Sequence, residues 1–152
     1  MEQALVIIDM QPSAFKAAKG ISLKNNIVKE IRKAKRNKNT IILVKYRNLG
    51  NISKKLINEV GKYKKSKIIT KFYDSAAPEI LEIFKGNKFR LAGVNTDCCV
   101  LSTAISLLEK EKEVEIIENC CYASSKEDHV WGINQFNKKK QNYLKNKEDY
   151  ET

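Results

Sequence analysis

The sequence holds a single histidine, His129, and two prolines. A metal centre built from several imidazoles is thereby excluded, and no proline-rich linker divides the chain. The longest uncharged stretch, Cys98 to Leu108, covers 11 residues, half of the ~20 that a membrane-spanning helix needs. The start, Met1-Glu2-Gln3, lacks the basic residues of an export signal, so a cytoplasmic protein away from membranes is expected. Arginine is scarce too: Arg32, Arg36, Arg47 and Arg90 are the whole set. Lysine therefore carries most of the basic excess, 29 Lys and Arg against 18 Asp and Glu, for a net charge of +11. Such a balance favours loose association with polyanions. It is poor in the forked side chain that grips phosphate and guanine, and abundant Lys, Ile and Asn point instead to A- and T-rich codons. No specific nucleic-acid partner is expected.

What is present fits one domain. A chain of 152 residues matches the ~150 of a single unit, and 42% hydrophobic residues are too many for a disordered chain. Residues 1–152 are expected to form that unit, with the polar end 138–152 frayed. Four cysteines form two adjacent pairs, Cys98-Cys99 and Cys120-Cys121. Structural zinc favours cysteines two to four residues apart, whereas neighbours in a strand or helix point away from each other. A disulfide framework fits poorly with a cytoplasmic chain. Burial as small apolar side chains is the default, and catalysis is the alternative.

Short apolar runs alternate with amphipathic segments. Residues 4–8, 40–44, 67–70, 89–92 and 114–117 are rich in β-branched side chains and predict buried parallel strands. Ile27, Val28, Ile31 and Ala34 recur at helical spacing, as do Leu56, Ile57 and Val60, and Ile80, Leu81 and Phe84 after Pro78. Residues 100–108 are apolar on most faces and predict a deeply buried helix. Ser125 three residues before Asp128 resembles an N-cap for a last helix carrying His129, Ile133, Phe136 and Tyr143. Strands alternating with helices imply an α/β fold: a three-layer α/β/α sandwich around an open, mainly parallel, Rossmann-like sheet.

In such a sheet ligands bind at the carboxyl ends of the strands. Asp9, Lys71 and Cys98-Cys99 stand there: an acid, an amine and a thiol, the parts of a nucleophilic site. Three longer words surround them in order: Leu5-Val6-Ile7-Ile8-Asp9-Met10-Gln11, Ile69-Thr70-Lys71-Phe72-Tyr73-Asp74-Ser75-Ala76, and Gly93-Val94-Asn95-Thr96-Asp97-Cys98-Cys99-Val100. Together they resemble the isochorismatase-like cysteine hydrolases, which include nicotinamidases, carbamoyl-amide hydrolases and isochorismatases. The likeness continues through Val114–Ser125 to His129 and covers most of residues 4 to 135.

The resemblance implies that Cys99 is the nucleophile, Asp9 the general base and Lys71 the catalytic lysine. It implies a cis peptide between Val94 and Asn95, with the Asn95 and Cys99 amides forming an oxyanion hole. Cys99, at the start of a buried helix beside Lys71, is expected to have its thiolate favoured. Gln11, Tyr46, Arg47 and Tyr73 are the candidate substrate contacts. The metal of nicotinamidase-type relatives sits on an Asp and histidines after the second strand. Lys45–Asn51 supplies neither, so no metal and no cofactor is expected. A thiol nucleophile points to C–N hydrolysis of a small amide or ureido substrate rather than vinyl-ether cleavage. Only about 20 residues separate the second and third strands, so the pocket is open or a neighbouring subunit of a homo-oligomer completes it. The rival is a family member without activity, acting as a binding or scaffold module. His129, Asn119 and Cys120-Cys121 are expected to be structural.

Overall fold

Five β-branched segments pair into one sheet: β1 (Gln3–Ile8), β2 (Thr40–Tyr46), β3 (Ser66–Lys71), β4 (Lys88–Val94) and β5 (Glu113–Tyr122). The computed structural model describes residues 2–15 and 17–151, so Met1, Lys16 and Thr152, including both ends of the expected 1–152 unit, lie outside it. The strands lie in the order β3-β2-β1-β4-β5, and every pairing is parallel. Helices α1 (Ala17–Arg36), α2 (Lys54–Val60), α3 (Ala77–Ile83) and α4 (Leu101–Glu109) form the crossovers, and α5 (Lys126–Glu151) follows β5.

Strand alternation decides which helix covers which face. Ala4, Val6 and Ile8 of β1 pack with Ile80 of α3, Ala104 and Leu107 of α4, and Ile133 and Phe136 of α5. Leu5 and Ile7 point the other way, onto Ile27 and Ile31 of α1 and Leu56 of α2. All five residues are at most 2% exposed, and each larger one contributes ~1.5–3 kcal/mol by its burial. The result is the α/β/α sandwich that the alternating pattern implied. Among the described residues, no helix is long and apolar enough to cross a membrane.

Most strands run a residue or two past their expected ends, and two elements run much further. The last strand continues to Tyr122 through an irregularity: two steps on β4, Leu91 to Gly93, face five on β5, Ile116 to Cys121. The extra residues turn Glu118 and Asn119 outward and keep Ile117 and Cys120 inside. The polar end expected to fray is helical as far as Glu151. Ser125 Oγ accepts from the Asp128 N–H, no proline interrupts the segment, and Lys140 Nζ ties it to the Val114 carbonyl at 2.8 Å.

Two glycines allow close approaches that shape the sheet's active edge. Gly93, at φ +120°, brings β4 so near β1 that a Cβ would lie 2.0 Å from the Ile8 carbonyl oxygen. Gly132 lets α5 rest on the turn after β4, where a Cβ would lie 2.8 Å from the Thr96 oxygen.

Candidate active site

Strand order reverses between β1 and β4, so the crossovers leave these two strands in opposite directions and open a crevice at their carboxyl ends. Asp9 follows β1 directly. Cys99 lies in a π-helical turn, Thr96–Val100, between β4 and α4. Lys71 ends β3, two strands away from β1, with strands spaced ~4.8 Å apart. Its four-carbon stem therefore has to cross β2. It passes the Tyr46 ring, its register partner, with Nζ 4.7 Å from the ring centroid.

Beyond Tyr46 the ammonium reaches three acceptors: Asp9 Oδ2 at 3.2 Å, the Tyr73 carbonyl at 2.9 Å and the Asp74 carbonyl at 3.0 Å. A lysine has three N–H donors, so all are matched, and the side chain is fully buried. Burial alone would lower the Lys71 pKa, but Cys99 and Asp9 outweigh it and raise it. Lys71 is thus a fixed cation. Asp9 is 4% exposed, and burial raises its carboxyl above the usual range against the pull of Lys71. Its Oδ1 is buried with no hydrogen-bond partner among the described residues. That oxygen is an acceptor held in reserve.

Cys99 is half-buried and close enough to interact with both partners. Burial pushes its thiol up to about 12; Lys71 opposes this and Asp9 adds to it. The expectation of a favoured thiolate is therefore corrected. Asp9 and two carbonyls already absorb the charge of Lys71, and α4 begins only at Leu101, after the π turn. The resting thiol is neutral.

The turn is held from several sides. The Val94–Asn95 peptide is cis, and the Asn95 carbonyl accepts from the Cys98 and Val100 N–H groups at 3.1 Å each. Thr103, wholly buried, donates its hydroxyl to the Cys99 carbonyl at 2.8 Å and accepts from the Ala76 N–H at 3.0 Å. It joins the Cys99 turn to the loop that positions Lys71. A second tie links Ser75 and Ser106 at 3.0 Å. Sequence reasoning did not single out Thr103, although a hydroxyl four residues after Cys99 is spaced to bond back to its carbonyl. His129 Nδ1 lies 2.6 Å from Thr96 Oγ1 and its ring stacks on Tyr122, the structural task expected of it.

The four candidate substrate contacts divide. Gln11 is wholly buried: Nε2 donates to the Tyr46 and Gly50 carbonyls, and Oε1 accepts from the Tyr46 N–H. Both its N–H donors and one lone pair of Oε1 are committed to pinning the end of β2 and the loop after it. Tyr46 is half-buried with its face toward Lys71. Arg47 is exposed and lies over the Phe72 ring at 5.7 Å, and Tyr73 is 77% exposed. A cavity of about 260 Å³ borders the site through Asn95, walled by Phe15, Leu23 and Tyr122. Asp9, Lys71 and Cys99 do not line it.

The end of β2 and the loop after it carry Lys45, Arg47 and asparagines, which do not fit the carboxylate-and-imidazole metal set of nicotinamidases. The cysteine pair departs from expectation. Donor atoms of Asp74, Cys98 and Cys99 all lie within 4.8 Å of one another, although adjacent thiols were expected to diverge. The wider π turn rotates successive side chains less than an α-helix does.

Comparison with known proteins follows the same lines. The model of the isochorismatase domain matches residues 3–145. No curated protein matches the chain. Among solved structures, the nicotinamidase SaPncA from Staphylococcus aureus superposes with a TM-score of 0.77 at 20% identity, covering 89% of this chain and 91% of that one. The MAR1 ribonuclease from Caenorhabditis elegans gives 0.78 at 21% identity, covering 91% and 73%. The octameric YcaC hydrolase of unknown specificity from Escherichia coli gives 0.77 at 17% identity, covering 91% and 72%.

Proposed function

The chain belongs to the isochorismatase family, and from that premise we propose that it is a cysteine hydrolase cleaving an amide or ureido C–N bond of a small molecule. The observation that carries this reading is the buried Asp9–Lys71 pair beside Cys99, with Asp9 Oδ1 unpartnered. A neutral thiol needs a base at the moment of attack, and a carboxyl whose pKa burial has raised is a better base than an exposed one.

The steps follow from those positions. Cys99 Sγ attacks the substrate carbonyl carbon as its proton passes to Asp9. The Asn95 and Cys99 N–H groups receive the developing oxyanion, each donor contributing ~3 kcal/mol in comparable sites. Asp9 returns the proton to the leaving nitrogen, the C–N bond breaks, and a thioester remains on Cys99. Asp9 next takes a proton from water as its oxygen attacks the thioester carbon; the C–S bond breaks, the acid leaves, and Asp9 returns that proton to Cys99 Sγ. Lys71 holds Asp9 in place and favours its ionised form whenever it must accept a proton. Its three donors are already committed, so it does not itself shuttle protons. The mostly apolar cavity beside Asn95 is suited to the body of a small acyl group. Arg47 and Tyr73 at the mouth are placed to meet an anionic or planar part. A homo-oligomer belongs to the same reading, supported by the exposed Phe72 and Tyr73 at that mouth and by the octamer of the E. coli relative.

Hydrolysis of a panel of small amides and ureido compounds tests the proposal. Cys99→Ala is expected to lower kcat/KM at least ~1000-fold, and mass spectrometry of quenched wild-type reactions to find an acyl group on Cys99. Undiminished activity in Cys99→Ala overturns the mechanism. No turnover and no acyl adduct with any member of the panel favours a non-hydrolytic binding module.

A further inference from the structure

The catalytic thiol has neighbours that hydrolysis does not use. Cys98 and Asp74 are both exposed, and with Cys99 their donor atoms form a triangle no more than 4.8 Å on a side. We propose that Asp74, Cys98 and Cys99 form a site for a thiophilic divalent cation, with Zn²⁺ the best fit, that occupies the nucleophile and stops turnover while bound. Binding itself does not depend on the hydrolase reading; only its effect on turnover rests on Cys99 as nucleophile.

The donor set selects the cation. Two sulfurs and one carboxylate suit Zn²⁺ or its analogues Co²⁺ and Cd²⁺, and they suit Mg²⁺ or Ca²⁺ badly. Tetrahedral zinc has Zn–S bonds of ~2.3 Å, which sets the two sulfurs ~3.8 Å apart. The sulfurs already lie within 4.8 Å of each other, so the closure needed is at most about 1 Å, within the reach of side-chain rotation. Zn²⁺ takes the place of two thiol protons, which are released; nothing is oxidised or reduced.

The surroundings favour a cation in spite of the +11 net charge. Lys71, which also interacts with Cys99, has Asp9 and two carbonyls to offset its charge. Asp74 and Asp97 both act on Cys98. Asp9 Oδ1, buried and without a partner beside Cys99, is an acceptor for a water in the fourth coordination position. That unsatisfied oxygen is an observation separate from the triangle, on a carboxylate that interacts with Cys99. Cys120 and Cys121, 1% and 4% exposed, cannot compete.

Co²⁺ added to the reduced protein reports thiolate coordination through its sulfur-to-metal charge-transfer band. The wild-type protein is expected to bind one Co²⁺ with that band, to exchange it for Zn²⁺, and to ignore Mg²⁺. Cys98→Ser and Asp74→Asn, both at exposed positions, are each expected to weaken Zn²⁺ at least about tenfold. Zn²⁺ is expected to inhibit wild-type hydrolysis reversibly, with a chelator restoring it, while Cys98→Ser hydrolyses normally and resists inhibition. Absence of the cobalt band in the wild type, or unchanged Zn²⁺ affinity in both variants, overturns the site whatever the hydrolysis assays give. A cobalt band without turnover of any substrate supports the site and counts against the hydrolase reading instead.

Discussion

Cys99 shows how position outweighs residue type. A free thiol titrates near ~8.5, and proximity to a lysine alone would lower that value. Burial wins here, because the lysine's charge is already matched by Asp9 and the Tyr73 and Asp74 carbonyls. A thiol pushed up to about 12 holds only ~10⁻⁵ of its population as thiolate at pH 7. The sign follows: alkylation of the resting enzyme should be slow at neutral pH and climb with pH without a plateau below about pH 9. Iodoacetamide labelling of a Cys98→Ser variant, followed by mass spectrometry, isolates the Cys99 rate. A plateau below pH 8 would show a pre-formed thiolate and would place deprotonation before substrate arrives. Gln11 teaches the complementary lesson. Its place in the Asp9-Met10-Gln11 word suggested a ligand contact, yet three hydrogen bonds to Tyr46 and Gly50 commit both its N–H donors and hold it buried.

At the scale of elements, the site depends on two segments far apart in sequence being held together. The loop after β3 carries the two carbonyls that grip Lys71, and the π turn after β4 carries Cys99. Thr103 on α4 bonds to both segments at once. Thr103→Val keeps the shape but removes both bonds and leaves the buried Ala76 N–H unpaired, at a cost of ~1–3 kcal/mol. A fall in denaturation midpoint is expected, together with a kcat loss larger than any change in KM. Thr103→Ser, which retains the hydroxyl, should restore kcat; failure to do so would reduce Thr103 to a packing residue. Gly132 and His129 brace the same turn from α5, so three helices and strands converge on a few residues of backbone. The helical spacing of residues 100–108 announced α4, but not that five residues before it would wind as a π turn.

For the molecule as a whole, the charge is a surface property. Among the described residues, exceptions are the buried Lys71–Asp9 pair and Arg90, half-buried between Glu30 of α1 and Glu115 of β5. Most lysines stand in water, and the chemistry assigns a task only to Lys71. Heparin retention at low salt is expected from +11, with release near physiological ionic strength, because separate exposed lysines act through a screened, nonspecific field. A complex that survives well above that salt would reveal a built polyanion surface. The short span between β2 and β3 matters more than the charge. It leaves Phe72 and Tyr73 exposed beside the crevice, where a longer chain would have material for a wall.

The strands, the buried helices and the ordered placement of Asp9, Lys71 and Cys99 were legible in the sequence alone. Alternation and helical spacing are local patterns, and a parallel sheet presents its strand ends at one edge. Tertiary structure alone decided that Lys71 crosses β2 to reach Asp9, that Thr103 clamps the turn, and that Gln11 is occupied. It also decided that Cys98 converges with Cys99 and Asp74, and that burial pushes the Cys99 thiol up. These depend on distances between segments tens of residues apart and on the water excluded between them, quantities that no local pattern encodes.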